Sequence, residues 1–255
     1  MKDQNRILDL LNLAKTYTHE LPPMPPLPAA PQGAAVAAWI DHTLLKPEAT
    51  FQQVSALCAE ARQHQFATVC VNPSFVPLAA GLLRGSKVGV CTVVGFPLGA
   101  SLGSFKAFET LGCLEGGATE IDMVLNIGAL KGQAYGQVLN EIELVTQIAH
   151  NQGASVKVIL ENALLTDEEK IIACLLCKAA GADFVKTSTG FSSSGATAAD
   201  VMLMRRVVGE TMGVKAAGGV RTFADLQTMI AAGASRIGSS ASVTILAQAQ
   251  QEKSA

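Results

Sequence analysis

Short apolar runs alternate with longer helical patterns from residue 36 to the end of the chain. Eight runs rich in Val, Ile and Ala predict strands, at Ala38–Leu44, Phe66–Val71, Lys87–Val94, Glu120–Asn126, Ser155–Glu161, Asp183–Thr187, Gly213–Ala217 and Ser235–Ser239. Apolar residues at helical spacing follow each run and predict helices, at Phe51–His64, Pro73–Leu83, Ser104–Gly116, Tyr135–Asn151, Asp167–Ala180, Ala198–Val208, Phe223–Ala231 and Ala241–Gln250. Such alternation produces right-handed crossovers and a parallel sheet, so eight repeats predict an α/β protein with a closed (β/α)₈ TIM barrel.

A doubly wound open sheet is the main alternative for this alternation of strands and helices. No G-x-G-x-x-G motif follows the first predicted strand, which weakens that alternative. The composition is 49% hydrophobic with only 5% aromatic residues, as suits parallel strands that are buried on both faces. The barrel is therefore the preferred prediction.

The first 35 residues follow a different pattern from the rest of the chain. Apolar residues at helical spacing predict a helix over residues 4–19, and the prolines of Leu21–Pro28 predict an extended tether. We expect residues 1–35 to form an appended helix and tether that dock on the barrel or on a neighbouring subunit. A disordered leader is the alternative. Residues 36–255 would then form a single barrel domain.

Composition and charge narrow the classes of function. The net charge of -2 provides no basic surface for nucleic acid, and no apolar run is long enough to span a membrane. The six cysteines lie in apolar segments of a chain without a secretion signal, so we expect reduced thiols and a cytoplasmic protein. Cys174 and Cys177 form a C-x-x-C pair in the middle of a predicted helix without a second pair, which favours packing over zinc binding.

Charged residues gather where the predicted strands end, the position at which barrel enzymes carry their reactive groups. Asp41 and Asp122 lie in the first and fourth strands, and Lys186 and Lys215 lie in the sixth and seventh. One buried pair would be a plausible structural ion pair. Two lysines and two aspartates that converge on one barrel mouth favour a functional site instead.

Lys186 has three interpretations from the sequence: a phosphate ligand, a structural partner of Asp122, or an amine nucleophile. A nucleophile must lose its proton, and a free lysine has a pKa near 10.4. Burial and a second cation both lower the pKa of a lysine, and Lys215 on the adjacent strand supplies that cation. Amines activated in this way form Schiff bases with carbonyl substrates.

Glycines and serines mark the loops after the seventh and eighth strands. In many barrels these two loops and a helix N-terminus bind phosphate through backbone N–H groups. The sequence therefore predicts a phosphorylated small-molecule substrate; the alternative is that these glycines serve only as turn residues. The residues concerned are Gly218, Gly219, Gly238, Ser239 and Ser240.

Two other groups of polar residues have simpler expected roles. His42 alternates with Asp41 and Thr43 along the first strand, so we expect it to pack behind the site. Lys157 and Glu161 share one face of the fifth strand, and we expect an inward-facing, charge-balancing pair.

Seven segments, in the right order between about residue 38 and residue 245, resemble the deoxyribose-phosphate aldolase family. They are Asp41–Pro47, Thr68–Pro73, Gly95–Gly99, Glu120–Val124, Lys157–Glu161, Phe184–Phe191 and Val214–Thr222. The resemblance implies a class I aldolase without metal or other cofactor. That family cleaves 2-deoxyribose 5-phosphate reversibly to glyceraldehyde 3-phosphate and acetaldehyde. It also implies a cytoplasmic homo-oligomer, a dimer or a tetramer, in deoxyribose phosphate breakdown.

The resemblance also assigns roles to residues of this chain. Lys186 would form the imine, Lys215 would perturb it, and Asp122 would transfer protons. The expected substrate-binding residues are Asp41 and Thr43 at substrate hydroxyls, Cys70 at the mouth, and Thr189, Gly190, Gly218, Gly219, Gly238, Ser239 and Ser240 around the phosphate.

The chain departs from the family pattern at three places. Phe191 stands where some members have a lysine, no tyrosine lies near the C-terminus, and the leader is longer than we expect for the family.

Overall fold

The computed structural model of the chain describes residues 2–254 and contains a closed barrel of eight parallel strands. Each strand pairs with the next along the chain, and β8 closes on β1. The predicted TIM barrel is therefore confirmed. The strands are β1 Ile40–Leu44, β2 Thr68–Val71, β3 Gly89–Val94, β4 Glu120–Val124, β5 Ser155–Ile159, β6 Phe184–Lys186, β7 Gly213–Ala217 and β8 Arg236–Ser239.

Helices surround the barrel in the order that the sequence predicts. They are α1 Lys2–His19, α2 Phe51–His64, α3 Val76–Leu83, α4 Gly103–Glu115, α5 Ile127–Lys131, α6 Tyr135–Asn151, α7 Asp167–Ala179, α8 Ala198–Val208, α9 Phe223–Ala231 and α10 Ser242–Ser254. Single 3₁₀ turns or short 3₁₀ helices occupy Gly33–Trp39, Pro73–Phe75 and Asn162–Leu164. Across residues 2–254, no helix combines the length and apolar character that crossing a membrane requires.

Most predicted strands are longer than the observed ones by one or two residues because apolar composition continues past the hydrogen-bonded ladder. Ala38 belongs to the 3₁₀ helix before β1, and Glu161 takes a left-handed backbone after β5. The sequence prediction also missed α5. The Asn126 side chain accepts a hydrogen bond from Ala129 N at 3.1 Å, so it ends the β4 segment and caps α5.

Pairing between strands places the charged residues beside one another inside the barrel. Asp122 on β4 is in register with Lys157 on β5, and Lys186 on β6 is in register with Lys215 on β7. The opposite faces of these strands pack against the helices through a core of valine, isoleucine, leucine and alanine. Cys174 and Cys177 are free thiols buried in that core on α7, which agrees with a packing role.

The N-terminal segment lies against its own barrel. Ala14 on α1 is buried, and Arg6 reaches Glu143 on α6 at 2.5 Å. In the tether, the carbonyl oxygens of Leu21 and Pro22 accept hydrogen bonds from Arg206 on α8 at 2.7 and 2.5 Å. These contacts join α1 and the tether to α6 and α8 of the same chain.

His42 lies on the outer face of β1 and is almost fully buried between the sheet and α2. Its Nε2 lies 2.7 Å from Glu60 Oε2, and its ring packs against Phe66 with centroids 5.0 Å apart. The expected packing role is confirmed. Burial lowers the pKa of His42 and outweighs the opposing contact with Glu60.

The lowered pKa of His42 predicts a pH dependence of stability. Between the unfolded pKa near 6.5 and the lower folded value, only the unfolded chain takes up the proton, so stability falls as the pH falls. We expect His42 to contribute a slope of up to about 1.4 kcal/mol per pH unit in this window. Urea unfolding of His42→Gln from pH 7 to pH 5 should show a shallower slope than the parent. His19→Gln, on the exposed end of α1, is the control, and an unchanged slope in His42→Gln would contradict the assignment.

Candidate active site

The carboxylate of Asp122 accepts hydrogen bonds from three lysines in the interior of the barrel. Its Oδ2 accepts hydrogen bonds from Lys186 Nζ and Lys215 Nζ, each at 2.7 Å. Its Oδ1 accepts from Lys157 Nζ at 2.8 Å. All four side chains are at most 3% exposed. The strand register therefore brings the predicted residues Lys186, Lys215 and Asp122 into direct contact.

Two more carboxylates and an arginine extend this cluster towards the amino ends of the strands. Asp41 Oδ2 lies 2.5 Å from Lys215 Nζ, and Asp41 Oδ1 accepts from Arg236 Nη1 at 2.6 Å. Glu120 Oε2 lies 2.5 Å from Lys157 Nζ. Alternate inward-facing residues of barrel strands stack in layers, which explains why this network continues below Lys186.

The cluster holds one more cation than anions when every group is ionised. Lys157, Lys186, Lys215 and Arg236 are positive, while Asp41, Asp122 and Glu120 are negative. An unbalanced charge in a barrel interior is costly. Lys186 is the one lysine of the three that also lines the open cavity above the cluster.

The electrostatic environment fixes the charge of the groups around Lys186. Burial alone would raise the pKa of Asp122, but Lys157, Lys186 and Lys215 outweigh it and hold that pKa well below its usual range. Burial alone would lower the pKa of Lys215, but Asp122 and Asp41 outweigh it and raise that pKa. At neutral pH Lys215 is therefore a cation beside Lys186, and Asp122 is an anion.

A cavity of about 460 Å³ opens above Lys186 at the carboxyl ends of the strands. Its wall includes eight of the residues predicted to bind substrate: Thr43, Thr189, Gly190, Gly218, Gly219, Gly238, Ser239 and Ser240. Leu44, Leu45, Lys46, Phe191, Ala217, Val220 and Arg221 complete it.

One side of the cavity has the features of an anion site. Among the described residues, the backbone N–H groups of Gly190, Gly219 and Ser240 have no hydrogen-bond acceptor. The N-terminus of α10 follows directly after Ser240. Unpaired N–H groups and a helix N-terminus both attract a negatively charged group.

Two exposed cations in the cavity wall, Lys46 and Arg221, were not singled out from the sequence. Lys46 lies in Asp41–Pro47 and Arg221 in Val214–Thr222, two of the segments that resemble the aldolase family. This location was the signal that the sequence offered for both residues. A single cation in a surface loop has the same local sequence whether it faces solvent or a binding cavity.

Asp41 and Cys70 were predicted to contact substrate, but neither lines the cavity. Both side chains are fully buried. The Asp41 carboxylate is occupied by Lys215 and Arg236 below the cavity floor. Cys70 lies in an apolar cluster with Leu45, Cys91 and Val93. The substrate contacts expected for Asp41 and Cys70 therefore stay predictions.

Lys157 and Glu161 do not pair in the structure, so the prediction of a charge-balancing pair is wrong. Lys157 contacts Asp122 and Glu120, whereas the Glu161 carboxylate accepts hydrogen bonds from the backbone N–H and hydroxyl of Thr189. Glu161 has a φ of 58°, so the strand alternation that the prediction assumed ends before this residue.

Among the residues that the structure describes, two sets of buried or half-buried side chains could each offer three ligand atoms to a metal ion. They are Cys70, Cys91 and Asp122, and Asp41, Cys91 and Glu120. Every carboxylate in these sets already contacts a lysine ammonium group. A bound cation would have to displace these ammonium groups or add to an existing positive excess, so the donor sets fit a metal poorly.

Comparison with known proteins places the chain among aldolases. The family model described as DeoC/LacD family aldolase matches residues 35–247. The deoxyribose-phosphate aldolase of Lysinibacillus sphaericus is 58% identical over 210 residues, which cover 82% of this chain and 94% of that protein. The enzyme of the same name from Halalkalibacterium halodurans is 57% identical over 213 residues, or 83% of this chain and 95% of that protein.

Solved structures agree with this placement. A Coccidioides immitis protein, provisionally named a deoxyribose-phosphate aldolase, has a TM-score of 0.89 and 40% identity, covering 98% of both chains. The tetrameric deoxyribose phosphate aldolase of Aeropyrum pernix has a TM-score of 0.79 and 36% identity, covering 84% of this chain and 90% of its own. The chain belongs to the DeoC/LacD family of aldolases.

Proposed function

We propose that this protein is a class I aldolase that reversibly cleaves 2-deoxy-D-ribose 5-phosphate to D-glyceraldehyde 3-phosphate and acetaldehyde. The observation that carries the proposal is the contact of Lys186 and Lys215 with the same Asp122 oxygen at the floor of the cavity. The anion site in the cavity wall fits the substrate phosphate, and the relatives bear the name of this activity. The reaction serves the breakdown of deoxyribose phosphate.

The proposed chemistry begins with neutral Lys186. Its Nζ attacks the aldehyde carbon C1 of the open-chain sugar, and uptake of one proton with loss of water gives a protonated imine. Asp122, directly or through a water molecule, accepts the proton of the C3 hydroxyl. The C2–C3 bond then breaks: C3 becomes the carbonyl of glyceraldehyde 3-phosphate, and the electron pair of that bond forms an enamine on Lys186. Protonation at C2 and hydrolysis release acetaldehyde. The iminium nitrogen accepts the electron pair, so this route requires no metal or other cofactor.

Two measurements on the purified protein test this function. It should cleave 2-deoxyribose 5-phosphate, and borohydride reduction with acetaldehyde should add a two-carbon group to Lys186. Failure to cleave this substrate would reject the proposed activity. An adduct on Lys186 with a different carbonyl compound, but not with acetaldehyde, would indicate another Schiff-base aldolase. Peptide mass mapping locates the adduct, with the buried Lys157 as an internal comparison.

We further propose that residues 1–35 form an appendage that stabilises the barrel of residues 36–255 without entering the reaction. The bacterial relatives cover only 82% and 83% of this chain, and the tether runs beside Gly213 and Ser235 at the amino ends of β7 and β8. This location is remote from the cavity at the carboxyl ends.

All six cysteines are free and buried, which supports a reducing, cytoplasmic location.

Arg206→Ala tests the role of the appendage. This change removes both hydrogen bonds to the tether, so we expect the free energy of unfolding to fall by about 1–3 kcal/mol, with kcat/KM unchanged. Chemical denaturation and a cleavage assay measure the two effects. Arg84→Ala, which removes an exposed arginine elsewhere, is the control. A large loss of activity with unchanged stability would contradict this role.

We also propose that the protein associates with itself through the outer face of α4. This face exposes Phe105 (64%) and Phe108 (76%), and Leu98 (73%) and Leu102 (64%) lie beside it on the preceding loop. Together they expose on the order of 500 Å² of apolar surface, a large part of the roughly 800 Å² that each partner buries in a standard interface. A Cβ atom at Gly112, one turn after Phe108, would meet nothing within 4 Å, so no side chain of this chain crowds this part of the face.

Phe108→Glu tests this association. A carboxylate on each copy would face its symmetry mate, so the variant should have the mass of a single chain where the parent has a multiple of it. Light scattering after size exclusion measures the mass. Leu8→Glu replaces another exposed leucine (57%) on α1 and should leave the mass unchanged. A monomeric parent would contradict self-association.

A further inference from the structure

Glu161 stands at the carboxyl end of β5 in a conformation that its side-chain type disfavours. Its φ of 58° and ψ of 62° lie in the left-handed region, which residues other than glycine, asparagine and aspartate seldom adopt. The next residue still pairs with the β6 strand segment, because Asn162 N donates to Thr187 O at 2.9 Å. Glu161 is therefore a local irregularity at the barrel rim, a position that commonly redirects a side chain towards a site.

The redirected carboxylate holds the turn that follows Lys186. Glu161 Oε2 accepts hydrogen bonds from the Thr189 N–H at 3.2 Å and from the Thr189 hydroxyl. The Thr189 oxygen in turn accepts from Phe191 N at 3.0 Å. Both donors of Thr189 are thus directed to Glu161, which leaves this threonine no free donor for a ligand.

The turn that Glu161 holds forms one wall of the cavity. Thr189, Gly190 and Phe191 all line it, and the N–H of Gly190 has no acceptor among the described residues. Gly190 has a φ of 86°, so its N–H direction depends on the hydrogen bonds on either side of it. Glu161 itself is 3% exposed, and its Oε1 has no hydrogen-bond partner within the described part of the chain.

We propose that Glu161 is a positioning residue that selects phosphorylated substrates, because it fixes the Thr189–Phe191 turn so that the Gly190 N–H meets the phosphate. Resting on the proposed function, this inference assigns the specificity of the same site to a residue that does not contact the substrate. It also gives the left-handed backbone at Glu161 a purpose. The strained conformation delivers a carboxylate across to the neighbouring loop, which an extended β5 terminus would not do.

The test separates the carboxylate from the backbone conformation. Glu161→Gly permits the left-handed backbone but removes the acceptor, whereas Glu161→Gln keeps an oxygen for Thr189. We expect the glycine variant to raise KM for 2-deoxyribose 5-phosphate about tenfold or more, with kcat within about threefold of the parent. The glutamine variant should stay within about threefold in KM. Gln133→Gly, at another residue with positive φ (59°) outside the cavity wall, is the matched control.

Two substrates without phosphate distinguish positioning from general damage. Unphosphorylated 2-deoxyribose, as a poor substrate, and acetaldehyde trapped by borohydride on Lys186 should react with the glycine variant at the parent rate. Equal losses with and without phosphate would overturn the inference, as would an unchanged KM for the phosphorylated substrate. If the parent protein itself does not cleave 2-deoxyribose 5-phosphate, the proposed function fails, and the acetaldehyde reaction still shows whether Lys186 is intact.

Discussion

Lys186→Arg should lower kcat for 2-deoxyribose 5-phosphate cleavage by at least about 10⁴-fold while the barrel remains folded. A guanidinium group keeps the positive charge and can still contact Asp122, but it does not lose its proton and cannot form an imine with an aldehyde. The substitution therefore removes the nucleophile but retains a hydrogen-bond donor for Asp122. A coupled assay for glyceraldehyde 3-phosphate measures the activity, and thermal unfolding verifies the fold.

The control for Lys186→Arg is Lys178→Arg, the same substitution at an exposed lysine on α7. This variant should retain full turnover and the acetaldehyde adduct on Lys186. Turnover above a few per cent in Lys186→Arg, or a borohydride adduct on another lysine of that variant, would refute the assignment of Lys186 as the imine-forming residue.

Lys215→Met should slow imine formation about 100-fold at neutral pH, with the loss shrinking as the pH rises. Methionine occupies a similar volume without the charge. The three remaining cations, Lys157, Lys186 and Arg236, then equal the three carboxylates of the cluster in number. Lys186 then loses the cation that shares Asp122 Oδ2 with it, and an amine beside fewer cations keeps its proton more readily. Rates of acetaldehyde trapping between pH 6 and pH 10 measure the effect.

The pH profile of Lys215→Met also distinguishes loss of the activating cation from a loss of stability. Removing Lys215 leaves Asp41 Oδ2 without its 2.5 Å partner, which costs stability in a buried cluster. Stability loss alone would lower the trapping rate equally at every pH, whereas loss of the activating cation moves the acidic limb upward. An unshifted acidic limb would therefore refute the coupling between Lys215 and Lys186.

The barrel was predictable because helix caps and the alternation of strand residues can both be recognised in short stretches of sequence. Thr166 and Thr222 begin α7 and α9 with capping boxes, a pattern of residues three apart that is visible in the sequence. Alternation within β6 and β7 was enough to direct Lys186 and Lys215 inward, since strand residues two apart share a face. Where a strand keeps its regular alternation, the sequence predicts the face of the sheet on which a side chain lies.

The depth of a side chain in the barrel was not predictable in the same way. Asp41 and Thr43 lie on the same face of β1, but Thr43 lines the cavity and Asp41 is buried below it. Depth depends on the stagger between strands and on which neighbour covers a residue, and both are properties of the assembled barrel. Glu161 eluded prediction for a related reason, because a single left-handed residue redirects its side chain without a change in composition.

The course of the N-terminal segment has a practical consequence for using this protein on a solid support. The tether passes the amino ends of β7 and β8, and the cavity opens at the carboxyl ends of the strands. Immobilisation through a residue of the tether would therefore leave the cavity facing the surrounding solution. Substrate would then reach Lys186 without crossing the surface of the support.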